Sequence, residues 1–222
     1  DGLAALQMGL PDTPSLDLRI TGDGTLSDFT ADIGLATDGA DRLSGTLTLV
    51  DGTPEAEGQS APLGFDAALN GDVTALFLPQ YRDFFGPDIR LVARGERAPD
   101  GALALDNLSL QTRALSLQGQ AALNADAWPT LLVLDGEIAA QDGNPVLLPI
   151  SGSETWINRE NLRLRFDAAQ GDAFRGGIQL RALNRAGIHV ETVSLGARGM
   201  LQGNLNAIGQ VLASLRFSAN EI

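Results

Sequence analysis

The chain has no cysteine, so no disulfide framework braces it and no thiolate can ligate a metal. It has one histidine, His189, too little for a zinc site without cysteine. A serine-histidine-aspartate apparatus would have to use that residue, and no Gly-x-Ser-x-Gly elbow accompanies it. Lysine is also missing: all fifteen basic residues are arginine, against 28 acidic ones, for a net charge of -13. A chain of that balance lacks the basic footprint that binds a phosphate backbone, so nucleic acid is not an expected partner. Arginine without lysine, with abundant Ala and Gly, points to a GC-rich bacterial genome, which concerns codons and not function. Aromatic residues make up 5% while the hydrophobic share is 44%, so the apolar material is aliphatic. No apolar run approaches the roughly 18–20 residues that span a bilayer, and no charged-then-apolar leader opens the sequence. Beginning at Asp1, the 222 residues read as an interior piece of a longer protein, with any membrane anchor elsewhere.

What is present is alternation. In the stretch Asp88–Leu123, DIRLVARGERAPDGALALDNLSLQTRALSLQGQAAL, apolar residues fall at every second position, and side chains on a strand point to opposite faces in turn. Ile89, Leu91 and Ala93 give way, after the turn Ala98-Pro99-Asp100-Gly101, to Leu103 and Leu105. The phase then slips by one to Leu108 and Leu110, which predicts a bulge near Asn107. Leu115, Leu117, Gly119, Ala121 and Leu123 restore a clean period. The same theme runs through the chain: Leu16, Leu18 and Ile20; Phe29 to Leu35; Leu43, Leu47 and Leu49; Leu63 to Leu69; Leu132, Leu134 and Ile138; Val146 to Ile150; Leu162, Leu164 and Phe166; Ile178 and Leu180; Ile188 to Leu195; Leu215 and Phe217. Turns are expected at Asp23-Gly24, Asp38-Gly39, Asp51-Gly52, Asn70-Gly71 and Asp142-Gly143, where two consecutive residues can take positive φ.

Three stretches depart from this period. Residues 1–10 and 203–213 read as helices. Asp72–Phe85 reads as a third, with Asp72 as its N-cap and Pro79 kinking or splitting it. The sequence also repeats. Gly22 in LDLRITG corresponds to Gly95 in IRLVARG, and Gly45 in LSGTLTL to Gly119 in LQGQAAL. The expected units are 1–71, 72–203 and a truncated third over 204–222. The expected fold is mainly β: a curved, amphipathic, antiparallel sheet with short helices between repeat units. Roughly thirteen or fourteen strands at about 4.8 Å each would extend roughly 60 Å, and open sheets of that length curl or close.

Candidate chemistry is sparse. His189 lies in a strand on the polar side and reads as a surface residue. Asp167 and Asp172 could in principle serve as acid and base on a glycoside, but most acidic residues stand beside glycine in turns. Gly22-Asp23-Gly24 with Asp28 is a faint calcium-loop pattern without a supporting period. Phe77, Tyr81, Phe84 and Phe85 read as a cap on one end of the sheet, and Trp128 and Trp156 as rim packing. Arg163 and Arg165 on one strand face read as solvated, with a phosphate headgroup as the functional alternative. No catalytic, metal-binding or cofactor-binding residue is expected, and no cofactor.

Taken together, a helix and an amphipathic meander, repeated, with the stretch LPQYRDFFGPDIRLVARGERAPDGALALDNLSLQTRALSLQGQAAL, resemble the TamB family of Gram-negative bacteria, the translocation and assembly module subunits, and more distantly the AsmA-like envelope proteins. The resemblance implies a periplasmic segment of an inner-membrane-anchored protein, folded as a long trough-shaped sheet (a β-taco). It implies an Omp85-type outer-membrane partner, TamA, engaged through other parts of the protein. It also implies a role in outer-membrane protein assembly, secretion or phospholipid passage. The groove residues expected on this basis are Leu16, Leu18, Ile20, Leu47, Leu49, Leu115, Leu117, Leu123, Leu132, Leu134, Leu162, Leu164, Phe166, Ile178 and Leu180. They would shelter phospholipid acyl chains, at about 0.8 kcal/mol per buried CH₂, or nascent outer-membrane protein strands. The alternatives are a closed β-sandwich or solenoid segment of a surface adhesin, whose leucines would meet one another, and a β-helix carbohydrate lyase or hydrolase with a carboxylate cleft.

Overall fold

A strand with apolar residues at every second position has one face that must leave water, and hydrogen-bonding edges that must find neighbours. This chain meets both demands by pairing each strand with the next. The computed structural model describes residues 14–25, 28–53, 60–140, 142–150, 152–171, 173–200 and 214–220. Among these, fourteen strands form one antiparallel sheet that is not closed into a barrel. They are β1 (Leu16–Thr25), β2 (Asp28–Thr37), β3 (Ala40–Asp51), β4 (Leu63–Gly71), β5 (Ile89–Arg97), β6 (Leu103–Gln111), β7 (Leu115–Leu123) and β8 (Pro129–Ala139), then β9 (Val146–Leu147), β10 (Thr155–Ile157), β11 (Arg159–Asp167), β12 (Ala173–Arg185), β13 (Ile188–Met200) and β14 (Ser214–Asn220). The spatial order follows the chain from β1 to β8, then passes to β11, β12, β13 and β14.

The short strands β9 and β10 extend two of the long ones. Trp156 pairs with Asn184 and Arg159 with Arg181, both on the same edge of β12. β10 and β11 are therefore one strand line, broken at Asn158, whose N–H donates to the Arg181 carbonyl at 3.0 Å. Opposite the break, Ala182 takes φ 52. β9 continues the line of β8 in the same way, pairing Val146 with Ile157.

Local chemistry sets the bends. The Asp38-Gly39 turn has φ 50 and 76, the paired positive values of a tight two-residue hairpin; Ala186-Gly187, with φ 50 and 81, makes another. The bulge expected near Asn107 is present: Arg94 pairs with Asn107 and Gly95 with Leu105, leaving Asp106 as the extra residue. Glycines permit sharper bends inside strands. A Cβ on Gly45, Gly95 or Gly119 would run into the facing carbonyl of Ala68, Ala104 or Val133 respectively. Bulges and glycine kinks are the two devices that curve a sheet.

Between β4 and β5 the chain forms a connector: 3₁₀ turns at Thr74–Leu76 and Pro79–Tyr81, then the one-turn helix α1 (Arg82–Phe85). Pro79 splits this segment, as expected. Val73, not the expected Asp72, holds the N-cap position, and no side chain caps it; Asp72 accepts from the Thr74 N–H at 2.9 Å and from the Thr74 hydroxyl, and these hydrogen bonds hold its carboxyl below the usual range. Gly86, at φ 67, ends it.

Several expectations need correction. β1 does not turn at Asp23-Gly24: both residues pair with β2, and the reversal lies between Thr25 and Asp28. The strand expected over Val146–Ile150 stops at Leu147, because the Ile150 N–H turns back to the Leu148 carbonyl. Ala168 belongs to a 3₁₀ turn rather than to β11. The helices read over 1–10 and 203–213 lie outside the described residues. The sheet runs through the 71/72 unit boundary, with β4 paired to β5 along its length.

Candidate functional site

The candidate site is a whole face of the sheet. Strand register assigns residues to faces, because directly paired residues share a side. One row crosses from β1 to β13 as Ile20, Ile33, Gly45, Leu69, Leu91, Leu110, Leu117, Gly136, Leu162, Ile178 and Leu195. The next is smaller: Gly22, Ala31, Leu47, Ala67, Ala93, Leu108, Gly119, Leu134, Leu164 and Gly176. Beyond it lie Phe29, Leu49, Phe65, Gly95, Leu105, Ala121, Leu132, Phe166 and Phe174. On the opposite flank are Leu18, Leu35, Leu43, Gly71 and Ile89, and then Leu115, Ile138, Glu160, Leu180 and Val193. A band rich in alanine and glycine thus runs across the strands between bulkier bands.

All fifteen residues expected to line a groove fall on this face by register. Leu16, Leu18 and Ile20 lie on β1; Leu47 and Leu49 on β3; Leu115, Leu117 and Leu123 on β7. Leu132 and Leu134 lie on β8; Leu162, Leu164 and Phe166 on β11; Ile178 and Leu180 on β12. The expectation left out Leu69, Leu91, Leu105, Leu110 and Phe174, which complete the rows. Their alternation carried the same signal.

Among the described residues, the face has no second layer across most of its width. Substantial contacts between strands run between hydrogen-bonded neighbours, and the described residues contain only nine buried hydrophobics. Most of the groove leucines are partly exposed, and Leu18 and Ile20 more than half so. Around Gly176, whose missing side chain leaves space, Leu162, Leu164, Phe174, Ile178 and Leu195 line an apolar hollow of about 270 Å³. Exposed apolar surface of this kind costs about 25 cal/mol per Å² relative to a covered state.

One end of the face is sealed. Phe84 of α1 packs with Ala114, Val146 and Ile157, and Leu115, Ile138, Leu180 and Leu183 close around them. Backbone bonds fix the connector there: the Phe84 carbonyl accepts from Ala114 N–H at 3.1 Å and the Phe85 carbonyl from Arg113 N–H at 2.9 Å. The Tyr81 hydroxyl donates to the Ile150 carbonyl at 3.2 Å. Phe77 stacks on Phe85 with centroids 3.5 Å apart. The aromatic cluster therefore caps strand ends.

The other face is polar and ion-paired. Arg94 pairs with Asp66 across β5 and β4. Asp135 on β8 receives Arg165 at 2.6 Å and Arg163 at 3.8 Å, and Glu137 receives Arg159 at 3.0 Å. Arg163 and Arg165 thus have carboxylate partners on the neighbouring strand. Asp167 caps the turn after β11, accepting from Ala169 N–H at 3.0 Å and from Gln170 at 2.7 Å; Asp172 lies outside the described residues. His189 is exposed and pairs with Asn184 across the β12–β13 hairpin. Trp156 lies on β10, a strand the sequence did not signal.

Glu160 breaks the pattern. It is the one charged residue in the four apolar rows, seated between Ile138 on β8 and Leu180 on β12. Burial alone raises its carboxyl above the ordinary range. Alternation did not reveal it, since Arg159-Glu160-Asn161 is polar throughout.

No protein-family model, curated protein or solved structure matches this chain.

Proposed function

We propose that this chain is a non-enzymatic sheltering segment, whose aliphatic face receives phospholipid acyl chains in transit across a Gram-negative envelope. The observation that carries the reading is the continuity of the apolar rows over a sheet with, among the described residues, no second layer above most of them. A row of leucine, isoleucine, alanine and glycine offers dispersion contacts everywhere and directional contacts almost nowhere. A chain held so can slide from strand to strand without crossing a deep pocket. The polar, ion-paired reverse face keeps such a sheet in water. The single sheet favours this reading over a two-sheet adhesin sandwich, in which the leucines would cover one another.

The resemblance to the TamB family supplies the setting: a periplasmic segment of an inner-membrane-anchored protein that reaches a TamA-like Omp85 partner through other regions. A nascent outer-membrane protein strand is the second cargo. Its apolar side chains would meet the same face, but its backbone would need an open strand edge.

The test is native mass spectrometry of the chain purified from a bacterial periplasm. Phospholipid adducts are expected, reduced at least severalfold in Leu134→Arg and Leu164→Arg variants that keep the sheet's circular dichroism. A lipid-free protein, or adducts unaffected by both changes, would count against the reading.

A further inference from the structure

The four apolar rows contain one charge, Glu160, and it lies in the middle of its row: Leu115, Ile138, Glu160, Leu180 and Val193 follow one another across five strands. On the opposite, polar face three strand carboxylates have partners. Asp66, Asp135 and Glu137 each meet an arginine on the next strand. Among the described residues, no arginine and no hydrogen-bond donor meets the Glu160 side chain. A carboxylate set in aliphatic surroundings without a partner costs stability, and a cation that arrives with a ligand recovers that cost.

The surroundings specify the rest of the ligand. Leu162 and Leu164 follow Glu160 on the same face of β11, two and four residues on, which is about 7 and 13 Å along a strand. Both line the apolar hollow around Gly176, together with Phe174, Ile178 and Leu195. On the other side of Glu160 the sheet is closed by Ile157, Val146 and Phe84. A ligand with its head at Glu160 therefore has one direction in which to lay an alkyl chain, toward Leu164.

We propose that Glu160 makes this stretch of the sheltering face selective for amphiphiles whose head carries a primary ammonium, the membrane form of which is an ethanolamine phospholipid. This rests on the sheltering reading above. The ammonium donates to the carboxylate at the border of the sealed end, and the first acyl chain follows β11 into the hollow. Anionic amphiphiles, whose heads would face the same carboxylate, are disfavoured there.

Three probes with one tail separate the two readings: dodecylammonium, dodecyl maltoside and dodecanoate, each titrated against the whole chain below its micellar concentration at physiological salt. The expected order is dodecylammonium about tenfold tighter than the maltoside, with dodecanoate weakest. Glu160→Gln should abolish the ammonium preference and leave the maltoside affinity unchanged. Asp126→Asn removes the same unit of charge from an exposed turn and should keep the preference, which excludes general attraction to an acidic protein. Short-chain phosphatidylethanolamine should compete more strongly than phosphatidylglycerol in the parent chain and equally in Glu160→Gln. An ammonium preference that survives Glu160→Gln overturns the proposal while leaving the sheltering face intact. Failure of all three probes, the neutral one included, overturns the sheltering reading and this one with it.

Discussion

The β1–β3 flank and the region around β7–β12 carry the same alternating pattern, yet they bury very different amounts of it. On β1, Leu18 and Ile20 are 63% and 58% exposed; near β9 and β10, Ile157 is 0% and Phe84 6% exposed. Strand composition does not separate the two. The connector does: α1 and its preceding turns dock across the ends of β7 and β9, and there they cover face residues with a second layer. Alternation makes a sheet amphipathic, and a covering element decides which part of the apolar face becomes core and which remains free to meet a ligand.

The largest stability effect is therefore expected in the sealed region. Ile157→Ala or Phe84→Ala should cost about 2–5 kcal/mol, whereas Leu18→Ala on the open flank should stay within about 0.5 kcal/mol, measured by urea unfolding. Equal costs at the two places would show that the flank is covered after all. Bending comes next. Gly119→Val would push a side chain into the Val133 carbonyl and should cost about 1–3 kcal/mol; an unchanged midpoint would mean the strand is not kinked there.

A smaller, pH-dependent effect is expected at Glu160. Its folded pKa lies above the unfolded value because burial disfavours the charge. The carboxylate is thus a full penalty above the folded pKa, and the penalty fades as pH falls toward the unfolded 4.5. Glu160→Gln should raise the melting temperature at neutral pH and make no difference in acid. The opposite sign would place the carboxylate beside an unseen cation. The smallest effect belongs to the polar face: Asp66→Asn, which removes the exposed pair with Arg94, should cost at most about 1 kcal/mol, less at high salt.

Much of this architecture was legible before any coordinates. Period-two runs marked the long strands, and the slip between Leu105 and Leu108 marked the bulge at Asp106. What stayed hidden was set by contacts distant in sequence. β10 spans three residues, too few for a period to show, and forms because Asn184 and Leu147 offer it two edges. Asp23-Gly24 carried a turn signal that the pairing with Thr30 and Phe29 overrode. For the candidate site, alternation identified the leucines but not the connector that closes one end. Nor did it place Glu160 on the apolar side, since Arg159-Glu160-Asn161 is polar throughout and no apolar residue marks that β11 begins before Leu162.

Because the chain has no native cysteine, single substitutions on β11 can each carry a photoreactive benzophenone. After irradiation with ethanolamine phospholipid, adducts at Leu162→Cys and Leu164→Cys, with none at Arg163→Cys and Arg165→Cys, are expected for acyl chains lying on the aliphatic face. Adducts spread evenly over all four positions, or concentrated at the two arginine sites, would mean that the face does not hold lipid.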